Sequence, residues 1–292
     1  MEKPVMTIGI FAHANAGKTT ITEQLLYHTN TKKNRGRVDH GDTTTDNLKI
    51  EQERGISVRA SMVSLDIPDR ELQLIDTPGH VDFSAEVERS ISVLDGAVLV
   101  ISGVEGVEPQ TQVIWRILKE RKVPTIFFIN KMDRLGADYH KVLNELKEKL
   151  NIKIIPIIEV NVDSRTNELS YDLPTKEQYT EDVADLDDNL MTKYLDDEPI
   201  SDEELDYTLK TKSRNGEAYV ALGGSALNDE GIERLIGAIE KYLPTAAKAK
   251  SDKFSGYVYT IKRDSGVREL YVKVLNGTLE NRLEFINADG NK

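Results

Sequence analysis

A loop of small residues between an apolar run and a helical pattern has the composition of a phosphate-binding loop. The apolar run is Val5–Phe11, the helical pattern is Thr19–Tyr27, and the residues at their junction are Ala12-His13-Ala14-Asn15-Ala16-Gly17-Lys18-Thr19-Thr20. Backbone N–H groups of a tight loop at a helix N-terminus can face a β-phosphate. Lys18 would then bridge the β- and γ-phosphates, and the Thr19 hydroxyl would hold Mg²⁺. Ala12 stands where this pattern usually has glycine, and the short Gly-Lys-Thr core alone is equally compatible with an ordinary helix start.

A second group of candidate residues follows the apolar run Leu72–Ile75 and reads Asp76-Thr77-Pro78-Gly79-His80. Asp76 could reach Mg²⁺ through water, and the Gly79 N–H could contact the γ-phosphate and so report its presence. The His80 imidazole could orient the attacking water or, if charged, stabilise the developing anion, and the sequence leaves both roles open. We predict His80 as the catalytic group, with Lys18 and Gly79 beside it. A proline-glycine turn after a strand explains the same residues without a ligand.

Two further segments predict which base accompanies the phosphates. Asn130-Lys131-Met132-Asp133 follows the apolar run Thr125–Ile129. The Asp133 carboxylate can accept hydrogen bonds from N1–H and the exocyclic amine of guanine, whereas adenine would leave it unpaired. Asn130 would tie this segment to the phosphate loop, and the Lys131 stem would lie along the base. Ser225-Ala226-Leu227 could offer a backbone N–H to guanine O6.

The order of these four segments along the chain places them where a parallel sheet would bring them together. Apolar runs alternate with helical patterns, which predicts an α/β fold with a mostly parallel sheet covered by helices on both faces. The predicted strands are Val5–Phe11, Val58–Asp66 (an edge strand paired with the next), Leu72–Ile75, Ala97–Ile101, Thr125–Ile129, Ile154–Val160 and Tyr219–Leu222. The predicted helices are Thr19–Tyr27, Phe83–Leu94, Thr111–Glu120, Tyr139–Leu150 and Gly231–Tyr242. Each segment follows a predicted parallel strand, and ligands of open α/β sheets bind at that carboxyl edge.

The negative charge of the chain is concentrated in one stretch. The 292 residues carry a net charge of −12, and residues 163–213 hold 16 acidic and five basic residues, a net of −11. We predict that this acidic insert lies between the last two strands and docks a basic protein surface rather than RNA. The sequence contains no cysteine, which excludes disulfides and thiol chemistry. It shows neither a secretory signal nor an apolar run of membrane length, so we expect a cytoplasmic monomer without membrane contact.

The residues after Lys253 predict a change of architecture. Tyr257–Lys262 and Leu270–Leu275 have the pattern of strands, and Asn276-Gly277 is a turn signal. An extra hairpin on the first domain is one interpretation, and the start of a β-barrel that is incomplete at Lys292 is the one we favour. The predicted domains are residues 1–250, with the insert at about 163–213, and residues 251–292.

Across essentially its whole length the chain resembles the translational GTPases. The resemblance is carried by Glu53-Arg54-Gly55-Ile56-Ser57, by the D-T-P-G-H run that ends at His80, and by Gly224–Leu227 with Tyr242-Leu243-Pro244. The segments most similar to the tetracycline-resistance ribosomal protection proteins are Val38–Gly41 with Thr43–Asn47, Ser90–Ser102 and Pro124–Asn130. Asn130–Arg134 is instead similar to elongation factor G.

The resemblance implies a P-loop GTPase domain that binds GTP or GDP with Mg²⁺ and hydrolyses GTP on the ribosome. It adds Ser57 to Thr19 and Asp76 as an Mg²⁺ ligand, and it implies contacts with ribosomal RNA and with stalk proteins, the latter at the acidic insert. Asn15 departs from the aspartate usual in this loop, and Ser57 departs from the usual threonine but keeps its hydroxyl. Ribosomal protection against tetracycline is the leading expectation. The alternatives are a translocase similar to elongation factor G and a regulatory switch that does not act on the ribosome.

Overall fold

The chain divides into two compact units, residues 1–246 and residues 247–292. The computed structural model describes residues 3–29, 31, 61–76, 84–163, 165–166, 168–244, 252–264 and 267–280. Within that part of the chain, no helix is both long and apolar enough to span a bilayer.

The first unit alternates strands and helices as its apolar pattern predicts. Its described strands are β1 (Val5–Ala12), β2 (Ser61–Asp66), β3 (Glu71–Asp76), β4 (Gly96–Ser102), β5 (Thr125–Asn130), β6 (Ile154–Pro156), β7 (Glu159–Val162), β8 (Leu169–Asp172) and β9 (Tyr219–Gly223). Its described helices are α1 (Lys18–His28), α2 (Ser84–Ile91), α3 (Pro109–Glu120), α4 (Tyr139–Leu150), α5 (Lys176–Ala184), α6 (Asp188–Leu195), α7 (Asp202–Arg214) and α8 (Ile232–Tyr242).

Seven of these strands form one sheet in the order β2-β3-β1-β4-β5-β9-β6. The edge strand β2 runs antiparallel to β3, and the other neighbours are parallel. This arrangement confirms the predicted mostly parallel sheet and the predicted edge strand. Because β1, β3, β5 and β9 run in the same direction, the segments that follow them emerge at one edge of the sheet.

Alternate residues of the central strands supply two separate cores. In β4, Val98 and Val100 join the core formed with α1 and α8, whereas Ala97, Leu99 and Ile101 join the core formed with α3 and α4. All five side chains are fully buried. A strand covered on both faces needs an unbroken apolar run rather than an alternating one, which is the pattern of β4 and β5.

Helix starts in this unit follow the local chemistry of their first residues. Helix α3 begins at Pro109, two residues before the predicted Thr111, since proline lacks an N–H that the first turn would leave unpaired anyway. Helix α4 begins at the predicted residue because the Asp138 side chain accepts the Lys141 N–H at 2.9 Å. Capping therefore explains why the α4 boundary was predictable and the α3 boundary less so.

Arg70, in the turn between β2 and β3, anchors the end of α8 to the sheet. Its side chain is only 1% exposed. The guanidinium donates to the Glu240 carbonyl at 2.9 Å, the Pro244 carbonyl at 3.1 Å and the Asp69 carboxylate at 2.6 Å. A cation that satisfies the last carbonyls of a helix is favoured both by hydrogen bonding and by the helix dipole.

The single strand predicted over Ile154–Val160 is wrong, since the chain makes two strands there. The first, β6, stays in the main sheet beside β9, and the second, β7, leaves it to form a two-stranded antiparallel sheet with β8. Pro156 ends β6, since proline has no N–H with which to continue the ladder. The apolar run conceals this break because Ile154, Ile155 and Val160 are all buried, although the strand that contains Val160 lies outside the main sheet.

The acidic insert is more regular than its weak helical spacing predicts. It contains β8 and the three helices α5, α6 and α7, which lead back to β9. Helix α7 opens with a capping box, in which Ser201 Oγ accepts the Glu204 N–H at 3.2 Å and Glu204 accepts the Ser201 N–H at 3.0 Å. Local capping thus supports these short helices, which have few large apolar residues.

The second unit contains an antiparallel pair, β10 (Ser255–Asp264) and β11 (Val267–Asn276), with a register shift between Val258 and Thr260. Both predicted strands are confirmed and extend beyond their predicted ends. The Asn276-Gly277 signal marks the end of β11, where Gly277 has a φ of +65°. That these residues begin a β-barrel stays a prediction.

Candidate nucleotide-binding site

The predicted phosphate loop forms a tight turn between β1 and α1. The Ala16 N–H donates to the His13 carbonyl at 3.3 Å, and Asn15 and Gly17 have left-handed φ values of +64° and +97°. Successive N–H groups in such a turn form a concave surface that favours anions. Asparagine tolerates this conformation better than most residues, so the Asn15 departure suits the backbone it occupies.

Ala12 lies at the end of β1 rather than in the turn. It pairs in register with Val100 of β4, is buried, and is absent from the positions with positive φ. Glycine would give no conformational benefit there, which explains how the loop tolerates this departure. Lys18 and Thr19 follow in the first turn of α1, and both are buried. Thr20, the next residue of α1, is partly exposed.

Asn130, the last residue of β5, links two of the predicted segments. Its side-chain Nδ2 donates to the Ala16 carbonyl at 2.8 Å, and its Oδ1 accepts the Ala226 N–H at 2.9 Å. The expected bond between Asn130 and the phosphate loop is therefore present. Asn130 is buried, so both hydrogen bonds are shielded from water.

The residues after Asn130 turn sharply, with Lys131 at a φ of +64° and the Met132 N–H donated to the Gly224 carbonyl at 3.1 Å. Met132 is fully buried. The Lys131 ammonium lies 3.5 Å from Glu105 Oε2, and the contact of its stem with a base stays a prediction. The Asp133 side chain is 15% exposed, with Arg134 Nε 3.8 Å from its Oδ2. A carboxylate that is largely shielded from water would be left without hydrogen bonds if adenine bound beside it, and this cost is the basis of the predicted preference for guanine.

Ser225 and Ala226 are fully buried, and Leu227 is exposed. Ser225 and Glu230 exchange backbone hydrogen bonds of 3.1 and 2.8 Å, which closes this segment into a loop. Because the Ala226 N–H donates to Asn130 in this structure, a guanine O6 that accepts it would share the donor with Asn130 or take it over. The role of this segment in base binding stays a prediction.

Some predicted site residues lie outside the described part of the chain: Ser57, Thr77, Pro78, Gly79 and His80. The resemblance segments at 38–47 and 53–57 lie there too. Asp76, the last residue of β3, pairs in register with Ile10 of β1, two residues before Ala12. The described residues therefore place the ends of β1 and β3 side by side.

The donors present fit Mg²⁺ that is held jointly with phosphate. Among the described residues no cluster of three or more His, Cys, Asp or Glu side chains could hold a metal by itself. Mg²⁺ keeps several waters and commonly binds through one or two protein groups plus substrate phosphates. Thr19, in the first turn of α1, and Asp76, the last residue of β3, would supply one hydroxyl and one carboxylate, the number of protein groups that such a shared Mg²⁺ site needs.

Comparison with known proteins decides the family. The model of the elongation factor Tu GTP-binding domain matches residues 3–245. The chain belongs to the elongation factor Tu GTP-binding domain family. Similar proteins are the tetracycline resistance protein TetP of Clostridium perfringens, 39% identical over 96% of this chain, and the oxytetracycline resistance protein of Streptomyces rimosus, 37% identical over 95%.

The chain spans 44% of the Clostridium protein and 43% of the Streptomyces protein. A crystal structure of a protein from Thermus thermophilus superposes with a TM-score of 0.81 at 26% identity, over 94% of this chain and 46% of that one. These findings confirm the predicted family and the α/β fold of its GTP-binding domain.

Sequence reasoning missed several residues that support the site of this GTP-binding domain. Gln24 of α1 donates to the Ala226 carbonyl at 2.8 Å. Tyr171 of β8 donates to Glu230 at 3.1 Å, so the acidic insert contacts the loop that contains Ser225. Gln110 and Thr111 of α3 contact the phosphate loop itself. Each contact joins residues far apart in the sequence, and only the polar Pro-Gln-Thr start of α3 gave any local signal.

Proposed function

We propose that this chain is the GTP-hydrolysing module of a translation factor and that it works as a switch between GTP-bound and GDP-bound forms. One observation carries the proposal. The buried Asn130 amide is hydrogen bonded to Ala16 of the phosphate loop and to Ala226 of the last segment. A single side chain that fixes the two loops relative to one another favours a ligand with both a phosphate end and a base end.

The proposed reaction transfers the γ-phosphoryl group of GTP to water. Water attacks the γ-phosphorus, the bond to the β-phosphate oxygen breaks, and GDP and phosphate leave. The loop N–H groups and Lys18 would bind the phosphates and offset their negative charge, and Thr19 with Asp76 and Ser57 would hold Mg²⁺. Mg²⁺ when bound neutralises charge that develops on the phosphate oxygens. His80 would orient the attacking water or, if charged, stabilise the developing anion, and the Gly79 N–H would contact the γ-phosphate.

Base selection is assigned to Asp133. Its carboxylate would accept from N1–H and the exocyclic amine of guanine, and adenine offers neither donor in that place. Lys131 would cover the base with its stem while Glu105 holds its ammonium.

The leading cellular role is ribosomal protection against tetracycline. It is supported by the names of the relatives, which are tetracycline and oxytetracycline resistance proteins. A translocase similar to elongation factor G is the alternative, favoured by the Asn130–Arg134 run. Both roles place the chain on the ribosome, with ribosomal RNA and stalk proteins as partners, inside a cytoplasmic protein.

The test is GTP hydrolysis by residues 1–292 alone and by residues 1–292 fused to the part of TetP that lies beyond this match (the TetP fusion), each with and without ribosomes. Intrinsic turnover should be slow, and ribosomes should accelerate it in the TetP fusion. His80→Ala should keep nucleotide affinity and lose the acceleration. Hydrolysis that ribosomes do not change would favour a regulatory switch outside translation.

A second assay separates the nucleotide module from the protective activity. Residues 1–292 alone should bind GDP about as tightly as the TetP fusion and yet fail to restore translation in the presence of tetracycline. Rescue by residues 1–292 alone would contradict the assignment of drug displacement to the remainder of the longer relatives.

A further inference from the structure

The first turn of α3 contacts the phosphate loop through two neighbouring side chains. Gln110 Oε1 accepts the Ala14 N–H at 3.1 Å, and Thr111 Oγ1 lies 3.3 Å from His13 Nδ1. Thr111 is fully buried and His13 is 3% exposed, so this second contact lies inside the protein. The two residues are nearly 100 positions from the loop in sequence.

The phosphate loop adopts a backbone that needs support from outside it. The Gly17 cap of α1 has no side-chain hydrogen bond among the described residues, and two left-handed residues sit within three positions. Left-handed backbone conformations are costly unless surrounding groups hold them. Asn130 holds the loop at the Ala16 carbonyl, and Gln110 with Thr111 holds it at the other end.

The chemistry of His13 suits a structural contact with Thr111 at the start of the phosphate loop. Burial lowers the pKa of His13, an effect larger than the opposing influence of Glu108 and Glu105. The imidazole is therefore neutral near pH 7 and can exchange one hydrogen bond with the Thr111 hydroxyl without adding charge beside the phosphates.

We propose that Gln110 and Thr111 are positioning residues that hold the backbone at His13 and Ala14 in the conformation that binds phosphate. The inference rests on the proposed nucleotide binding and names residues outside the four motifs. Neither side chain needs to touch the nucleotide. They act by keeping the loop N–H groups in place before binding, which lowers the conformational cost of binding.

The test compares Gln110→Met with Gln112→Met in the full 292-residue chain. Methionine keeps the length of the side chain and removes the acceptor, and Gln112 is exposed on the same helix. The dissociation rate of a ribose-labelled fluorescent GDP should rise about 5- to 10-fold in Gln110→Met, the effect of one lost hydrogen bond. It should not change in Gln112→Met. Thr111→Val, which replaces the hydroxyl by a methyl group, should also raise the rate.

A rescue variant separates positioning from a general loss of folding. Gln110→Glu keeps an acceptor for the Ala14 N–H but adds a negative charge near the phosphates. Its GDP dissociation should return toward the wild-type rate as salt screens that charge, whereas Gln110→Met should stay fast at every salt concentration. The thermal midpoint of the nucleotide-free Gln110→Met protein should lie no more than about 2–4 °C below that of Gln112→Met, the effect of one lost hydrogen bond.

Equal dissociation rates for Gln110→Met and Gln112→Met would overturn the inference. So would a faster Gln110→Met rate accompanied by a fall in the thermal midpoint of the free protein of more than about 10 °C, because one lost hydrogen bond cannot explain such a loss of stability. If the unmodified chain fails to bind the GDP probe, the proposed function itself is wrong. The two failures are distinguishable, because the first is seen in the unmodified chain and the second only in the comparison of variants.

Discussion

The Asp133 carboxylate, which follows β5 and is largely shielded, is the residue to which we assign base selection. In Asp133→Asn the side chain presents one acceptor and one donor instead of two acceptors. GDP affinity should fall by at least about tenfold, and xanthosine diphosphate, with a carbonyl in place of the 2-amino group, should bind better than GDP. Competition against a fluorescent nucleotide measures the affinities for GDP and for xanthosine diphosphate. Unchanged preference for GDP would show that Asp133 does not contact the base.

Gly17 is the residue where the backbone leaves no room for a side chain. It has a φ of +97°, and an added Cβ would lie 2.2 Å from Asn130 Nδ2. Gly17→Ala should destabilise the protein by about 1–3 kcal/mol and abolish the hydrogen bond between Asn130 and Ala16. GDP binding should be lost with it. Urea unfolding and GDP titration measure the two effects.

Gly136→Ala is the matched control for that substitution. Gly136 also has a left-handed φ, +86°, but nothing lies within 4 Å of the added Cβ. Gly136→Ala should therefore lower stability only through the strain of a left-handed alanine, and its GDP affinity should not change. Equal loss of GDP affinity in both variants would mean that the contact of Gly17 with Asn130 is irrelevant to binding.

At the scale of secondary structure, Arg70 joins the β2–β3 turn to the end of α8. Arg70→Met keeps the apolar stem and leaves the Glu240 and Pro244 carbonyls without their donor. The free energy of unfolding should fall by about 2–4 kcal/mol. Arg116→Met, at an exposed position of α3, should change it by less than about 0.5 kcal/mol. Similar stability of the two variants would contradict the anchoring role.

The same contact predicts a small pH dependence. Hydrogen bonding from Arg70 holds the pKa of Asp69 below its ordinary value. A carboxyl whose folded pKa is lowered contributes stability above its unfolded pKa, about 4, and loses it as the pH falls through the folded pKa. The difference in free energy of unfolding between wild type and Arg70→Met should therefore become smaller below about pH 4. The narrowing should be well under about 1 kcal/mol because Asp69 is 46% exposed.

The acidic insert predicts a charge-driven docking step. Asp→Asn changes suit this test because Asp187 caps α6 through the Asn189 and Leu190 N–H groups, and asparagine can cap in the same way. Neutralising Asp185, Asp187, Asp188, Asp196 and Asp197 in the TetP fusion should slow ribosome-stimulated hydrolysis, and most strongly at low salt. The control is the double variant Glu120→Gln and Glu148→Gln, at exposed positions outside the insert, which should leave the rate of ribosome-stimulated hydrolysis unchanged. A rate unchanged at all ionic strengths would mean that the insert only adds solubility.

Elements were predictable where a single periodicity ran between clear boundaries. Helix α4, with Asp138 before it, and the buried strand β5 match the sequence closely. The break between β6 and β7 did not emerge from the pattern, because an apolar run looks the same whether one strand or two contribute it. Pro156 was the available signal.

The residues of the candidate site also differ in how far they could be predicted from the sequence. Motifs next to strand ends, such as Ala12–Thr19 and Asn130–Asp133, could be proposed from the sequence because their chemistry is local. Gln24, Gln110 and Tyr171 were not, since each reaches its partner only after the sheet has brought distant segments together. Long-range polar contacts leave no periodic trace in a sequence.

For the whole molecule, our central proposal is that the strand ends of the first unit assemble a site for a guanine nucleotide. The most direct measurement is competition of GDP, GTP, ADP and ATP, with Mg²⁺ present, for a fluorescent GDP derivative bound to the 292-residue chain. We predict displacement by GDP and GTP at concentrations at least about 100-fold below those needed for ADP and ATP. Displacement by ADP or ATP at the same concentrations as GDP would contradict a guanine-specific site.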